Sequence, residues 1–295
     1  NYCYQWHLWI FKGTVLIVYF YSAVAKMYPD WVDAVPIKIW FTQKADYPLI
    51  GSLLVQSWFQ HLVAWGGIIF DLLIGPALLW KRTRKAAFVS SLVFHGFNSI
   101  VFQVGIFPFM GIAFGLFYFE PEVIRKLFFK HKEPFTAIQE TVSARFQKVK
   151  TVAFSGFMLL MIVLPVRHHL FDGNVTWTEE GHRLSWRMML RSKAGYVSIK
   201  VKRAGKTQYV NLDDYLTHKQ QRAIATRPDM FWYFIQHLKQ DLTAKGEDDY
   251  DGIYAVSNVS LNGHASEPLY DPNVDVSKVE WNKFSENRWV TRGEK

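Results

Sequence analysis

Apolar positions fall in four long blocks before Val166 and then give way to alternation. Trp9–Tyr28 and Leu53–Trp80 are each long enough to cross about 30 Å of hydrocarbon. Val152–Pro165 is shorter, closed by Pro165 and extendable by its flanking aliphatics. Ala86–Phe119 contains no Asp, Glu, Lys or Arg, and is too long for one span and short for two. The basic clusters beside it decide the case: Lys81, Arg82, Arg84 and Lys85 precede it, and Arg125, Lys126, Lys130 and Lys132 follow. One span would place them on opposite sides. A turn near Gly105–Pro108 returns both to the cytoplasmic side. The stretch therefore reads as two passes, Ala86–Val104 and Ile106–Phe119, the second short enough to be re-entrant. Counting outward, the loop Pro29–Gly51 is non-cytoplasmic, and Val152–Pro165 delivers everything from Arg167 onward to that same side.

Beyond Val166 the period becomes two. Tyr196–Lys202 and Thr207–Leu212 alternate around a four-residue turn, Arg203–Lys206, and predict a β-hairpin. Asp214–Thr226 and Pro228–Leu242 read as helices, the second with proline at its first position. Ile253–Leu261 reads as a strand and Lys278–Lys295 as a polar tail. The expected fold class is α+β: a polytopic α-helical membrane domain, residues 1–166, followed by a non-cytoplasmic α+β soluble domain, residues 167–295.

Charge adjusts this picture little. The formal net charge of +9 comes from cations beside the apolar runs, Arg145, Lys148 and Lys150 among them. That placement follows the positive-inside rule and not the stripe that nucleic acid requires. The expected surroundings are a lipid bilayer and no nucleic acid. Cys3 is the single cysteine, so no internal disulfide can form. The chain starts at Asn1, without Met or a signal segment, and reads as a fragment.

Candidate chemistry begins with His95 and Asn98, polar residues three apart inside an apolar run. On a helix they share a face. Polar side chains there mark either a functional site or hydrogen-bonding glue between helices. Lys26 closes the first span just before Pro29. It is either a snorkelling lysine or an amine held in an apolar pocket as a neutral base. Outside the last span, the run from Trp177 to Arg191 carries two tryptophans, two methionines and several cations. It reads as a membrane-edge pocket for an amphipathic or anionic ligand, or as an aromatic belt. His168 and His169 are adjacent and would face apart on a helix, so no metal site is expected. Gly-rich phosphate loops, His-Glu-x-x-His and Gly-x-Ser-x-Gly are absent.

Five segments in register resemble the vitamin K-dependent γ-glutamyl carboxylase family, with its horizontally transferred transmembrane (HTTM) domain, in a bacterial-type relative. They are Ile17-Val-Tyr-Phe…Ala25-Lys26-Met-Tyr-Pro-Asp30-Trp31; Gly66-Gly67…Asp71-Leu72; Phe94-His95-Gly-Phe-Asn98-Ser…Gly105-Ile-Phe; Trp177-Thr…Ser185-Trp186-x-Met188-Met189; and Asp271-Pro-x-Val-Asp275 with Trp281-x-x-Phe and Trp289-Val. The resemblance covers nearly the whole chain. The family's N-terminal membrane half and later luminal region have no counterpart, and His182, Arg183 and Arg187 depart from the animal enzymes' pattern.

The resemblance implies a lyase-class carboxylation coupled to quinone epoxidation. A membrane-embedded lysine deprotonates reduced vitamin K, a naphthohydroquinone, which reacts with dioxygen and collapses to its epoxide. The strong base so formed takes a proton from the γ-carbon of a peptide glutamate, which then adds carbon dioxide; no metal is implied. By position Lys26 is the base, and His95 and Asn98 line the quinone pocket. Trp177, Ser185, Trp186, Met188 and Met189 would frame the glutamate, and Arg191 would attract its carboxylate. The implied partner is a glutamate-containing peptide. The implied location is the inner membrane of a bacterium or the endoplasmic reticulum of a eukaryote. A quinone epoxidase without carboxylation, a non-catalytic membrane protein whose outer domain binds a partner, and a transporter stay open.

Overall fold

The structure, a computed structural model, describes residues 5–133 and 144–293. The chain divides into two compact units: residues 1–28 with 61–165, and residues 29–60 with 166–295.

The first unit is helical. Among the described residues, four helices are long and apolar enough to cross a membrane: Gln5–Ala25, Ser57–Leu79, Arg84–Phe102 and Arg145–Leu170. We label the α-helical parts α1 (Gln5–Ala25), α2 (Ser57–Leu79), α3 (Arg84–Phe97), α4 (Phe107–Gly115) and α5 (Ala144–Val163). The hairpin read from the charge clusters is present. α3 runs into a π-helical turn, Asn98–Phe102, then Gln103 and Gly105 take left-handed backbone angles and Pro108 opens α4. α4 and the 3-10 turn Leu116–Tyr118 form a short apolar helix of about 18 Å at 1.5 Å per residue. That falls well short of a full crossing and fits the re-entrant reading. Small residues let backbones approach: a Cβ at Gly75 would stand 2.5 Å from Leu16 of α1. One at Gly13 would meet Met158 of α5 at the same distance. Tyr118 closes the packing with a hydrogen bond to the Lys12 carbonyl, 2.9 Å away.

The second unit is a three-stranded antiparallel sheet covered by two helices. β1 (Lys193–Arg203) is central, flanked by β2 (Lys206–Tyr209) and β3 (Gly252–Leu261). Val197, Ile199 and Val201 of β1 point one way with Ile253, Ala255 and Val259 of β3. They pack on α6 (His218–Thr226) and α7 (Pro228–Ala244), whose Phe231, Phe234, Ile235, Leu238 and Leu242 form one buried stripe. Residues 29–60 group with this unit. Asp30 accepts a 2.8 Å hydrogen bond from Asn262 just past β3 and pairs with His264 at 3.0 Å, while Trp31, Ile37, Phe41 and Leu54 are buried.

Several boundaries differ from the expected ones, each for a local reason. The hairpin turn has two residues, not four, because Ala204 and Gly205 both adopt the left-handed angles that let Arg203 pair with Lys206. The helix expected from Asp214 starts at His218, where Thr217 and Gln220 form a capping box. The last span starts earlier than Val152, so Arg145, Lys148 and Lys150 lie on its first turns. The expected polar tail is folded: Trp289 and Val290 are buried and Val290 bridges Tyr270. Sparse, irregular spacing hides such anchors from a periodicity argument; residues 294–295 of the tail lie outside the described residues.

Candidate functional site

Tyr19 and Ser22 of α1 and Lys26, the residue just past its end, fall at i, i+3 and i+7. All three are engaged inside the bundle. The helix ends at Ala25, and Lys26 turns its side chain back along α1 toward Ser22 instead of extending past the end. Its Nζ donates to Ser22 Oγ and to Asp71 Oδ2, each at 2.6 Å, and Ser22 Oγ donates to the same Asp71 Oδ2 at 2.6 Å. Lys26 is only 7% exposed and Asp71 4%. Asp71 lies in the middle third of the 23-residue α2, about 20 Å along its axis from Ser57. The pair is therefore embedded within the span. Burying two charges requires that each be matched, and the only acidic side chain within the four spans answers Lys26.

One turn below, Tyr19 Oη and His95 Nε2 stand 2.7 Å apart. His95 is buried among Phe70 and Phe94, themselves stacked 3.8 Å apart, and Tyr19 meets Phe70 edge-on. Gly111 of α4 presses on the ring, where a Cβ would stand 2.4 Å from Nε2. Asp71 is within Coulombic reach of both Tyr19 and His95. Lys26 and His95, read separately from the sequence, thus belong to one buried cluster drawn from α1, α2 and α3. Asn98 is half-buried and opens the π turn; the partner of His95 is Tyr19 and not Asn98. π turns recur at functional sites. Asp71, Tyr19 and Ser22 did not emerge as site residues from sequence; the i, i+3, i+7 spacing from Lys26 was the available signal for two of them.

The second unit holds its own charged cluster. Asn174 caps the turn Val175–Thr178, its Oδ1 accepting from Thr176 N at 2.9 Å. After it Glu179, Gly181, Leu184, Trp186 and Met189 all take left-handed backbone angles. Four of those are not glycine, and such strain gathers at functional sites. Glu179 turns inward to Arg191 at 2.5 Å and Lys193 at 3.3 Å. Lys193 also donates to the Trp177 carbonyl at 2.5 Å and the Thr226 carbonyl at 3.2 Å. Burial draws Lys193 down to about 8 against the pull of Glu179. Glu179 itself is held below the usual carboxylate range, since Arg191 and Lys193 outweigh the burial that works the other way.

Trp177 is buried in the core, its Nε1 donating to Thr291 Oγ1 at 3.1 Å. Ser185 is buried and donates to the His182 carbonyl. Met188 is half-buried and Met189 exposed. Arg191 is paired with Glu179, a carboxylate it shares with Lys193. Burial, followed by the Arg191 charge, pushes His182 down to about 4. His182 Nδ1 and Trp186 Nε1 are buried without a hydrogen-bond partner among the described residues. Glu179, His182 and Lys193 belong to this cluster; no motif flagged Glu179 or Lys193, and His182 stood out only as a departure from the animal enzymes' pattern. No group of three metal-ligating side chains occurs among the described residues.

Residues 1–122 match the HTTM domain, and residues 146–295 match the family described as Vitamin K-dependent gamma-carboxylase, lumenal domain. No solved structure matches the chain. The HTTM match takes in residues 29–60 of the second unit along with the first three spans, and the lumenal match begins within α5 and covers just over half the residues. A multi-pass helical bundle with a buried lysine–aspartate pair, carrying an outer α+β unit, is thus a member of the vitamin K-dependent gamma-carboxylase family.

Proposed function

We propose that the membrane unit removes a proton from vitamin K hydroquinone and oxidises it with dioxygen to the epoxide, and that this drives addition of carbon dioxide to a glutamate side chain received by the outer unit. One observation carries the reading: Lys26 turns into the bundle and is buried against Asp71. A snorkelling lysine would extend outward to water.

The residues present suit the group. Phe70, Phe94 and Tyr19 provide aromatic faces for a fused ring, and the Tyr19–His95 pair provides hydrogen bonding for its oxygens. Reduced vitamin K supplies the electrons and, on oxygenation, a base strong enough for a glutamate γ-carbon. Lys26 accepts the hydroquinone proton. His95, oriented by Tyr19 and braced by Gly111, hydrogen-bonds a ring oxygen, and Asn98 lines the same pocket. The apolar walls keep water from quenching the reaction.

In the outer unit the strained segment around Trp177, Ser185, Trp186, Met188 and Met189 receives the glutamate. Among the described residues Trp186 Nε1 and His182 Nδ1 have no hydrogen-bond partner, which leaves two donor or acceptor positions beside this segment for a ligand or water. Arg191 serves the acceptor carboxylate less directly than its position in sequence suggests, because Glu179 already holds it in an ion pair. That same ion pair favours a second reading, quinone epoxidation without a peptide acceptor. The host membrane is the inner membrane in a bacterium and the endoplasmic reticulum in a eukaryote.

The test uses membranes expressing the complete reading frame, wild type beside Lys26→Ala, given reduced vitamin K, labelled carbon dioxide and a glutamate peptide. Epoxide and peptide-bound label, both lost in Lys26→Ala, support the first reading. Epoxide without label supports the second. Neither product from folded, inserted wild-type protein contradicts both.

A further inference from the structure

An ammonium has no lone pair, so an amine locked in an ion pair cannot by itself accept a proton. The geometry around Lys26 answers this difficulty. Asp71 Oδ2 receives Lys26 Nζ–H and Ser22 Oγ–H, each at 2.6 Å, and Ser22 Oγ in turn accepts from Nζ. All three groups are buried, Nζ meets Oδ2 directly, and the Ser22 carbonyl stands 3.5 Å from Nζ.

We propose that Asp71 is the terminal proton acceptor of the membrane site, acting through Lys26, with Ser22 fixing the contact. The inference rests on the reading of Lys26 as the group that faces the hydroquinone. The N–H bond from Lys26 to Asp71 breaks as an O–H bond forms on Oδ2. The lone pair so released takes the proton of a hydroquinone hydroxyl, whose bonding pair stays on its oxygen. The sum is one proton moved from hydroquinone to carboxylate. Lys26 ends as an ammonium again, with its counter-charge transferred from Asp71 to the hydroquinone oxygen.

Charge bookkeeping favours this route. Before and after the transfer the site contains one positive and one negative group, so no buried charge is left uncompensated. In the intermediate arrangement both partners are neutral, which a dry site tolerates better than separated ions. A lysine acting alone would have to enter the site neutral and leave Asp71 as an unpaired buried carboxylate. Ser22 suits its place because a hydroxyl can donate to the carboxylate and later turn to accept from the protonated acid. In this route Asp71 acts through Lys26, as a positioning and proton-storing residue behind it.

Infrared difference spectroscopy on the purified full-length protein under anaerobic conditions tests this, with vitamin K hydroquinone added and oxygen admitted afterwards. Wild type should gain a protonated-carboxyl band and the absorbance of the hydroquinone anion together. Asp71→Asn, which keeps shape but cannot take a proton, should lose the band and the anion, and Asp71→Glu should restore both in part. After oxygen, Asp71→Asn epoxidation should fall about 100-fold near neutral pH, within the range for lost acid–base catalysis. It should recover toward alkali, because bulk hydroxide must then take the place of Asp71 as the terminal base. Anion formation in Asp71→Asn at the wild-type level, or lower activity with the wild-type pH profile, would overturn the relay and leave Asp71 a strut. A carboxyl band without epoxide keeps the relay and overturns the epoxidase reading; epoxide without the band does the reverse. Failure to bind hydroquinone overturns both.

Discussion

Both units bury a lysine against a carboxylate, and the surroundings of the two pairs set them apart. Lys193 has Glu179 on one side and the carbonyls of Trp177 and Thr226 on the others. Peptide carbonyls accept hydrogen bonds but not protons, and Arg191 supplies a second cation to the same carboxylate. That arrangement fastens β1 to the turn before it. Lys26 faces a serine hydroxyl and a carboxylate, groups that can receive or relay a proton. A lysine paired with a carboxylate thus makes a fastener in one unit and, in the function we propose, proton-transfer machinery in the other. The acceptors around the lysine decide which.

Breaking the fastener should give the largest loss of stability. Glu179→Gln leaves Lys193 buried without its carboxylate, and breaking a buried pair in this way costs about 3–5 kcal/mol. Denaturant unfolding of the full-length protein, followed by the outer unit's tryptophans, should register it. Asp71→Asn should leave that transition in place, so that equal losses in the two variants would erase the distinction between the pairs.

The next effect is one of pH. His182 is held neutral in the fold, with its value about 4 against an ordinary 6.5. Between those values the unfolded chain binds more protons, so stability rises with pH across that window and falls as the solution is acidified through it. The full span is worth about 3 kcal/mol, and His182→Gln should flatten the slope. An unchanged slope in the variant would assign acid sensitivity to another group.

Within the membrane unit, Gly111→Ala should drive a methyl group into His95, whose Nε2 would be 2.4 Å from the new carbon. Gly96→Ala, with nothing within 4 Å, is the matched control. About tenfold weaker hydroquinone binding in the first and none in the second would place His95 at the quinone. Tyr19→Phe should give the smallest change, about 1 kcal/mol of binding, from the loss of one hydrogen bond to His95. A larger drop would mean that the phenol itself meets the ligand.

Much of the architecture was legible in the sequence because apolar length and charge placement are one-dimensional signals. The charge clusters at 81–85 and 125–132 were enough to reveal the α3–α4 hairpin. The burial of Lys26 was not, because snorkelling and burial differ only in whether a partner exists. That partner, Asp71, is 45 residues away on another helix. His95 and Asn98 looked like a pair at i, i+3, yet the π turn beginning at Asn98 ends the regular spacing and Tyr19 from α1 takes the imidazole. In the outer unit, Trp177 and Arg191 were visible as unusual residues, but nothing local said that Glu179 would turn inward to claim Arg191. Trp289 was hidden for the opposite reason, a core anchor in a stretch with no period at all.

The most direct measurement is epoxide formation from reduced vitamin K by membrane-inserted Lys26→Arg protein beside wild type. Arginine keeps the charge and the pairing with Asp71 but does not give up its proton. The expected result is epoxide from wild type and a loss of about 100-fold or more in Lys26→Arg at equal folded yield. Wild-type rates in the arginine variant would contradict a proton-transferring role for Lys26 and make the buried pair a fastener like Lys193 and Glu179.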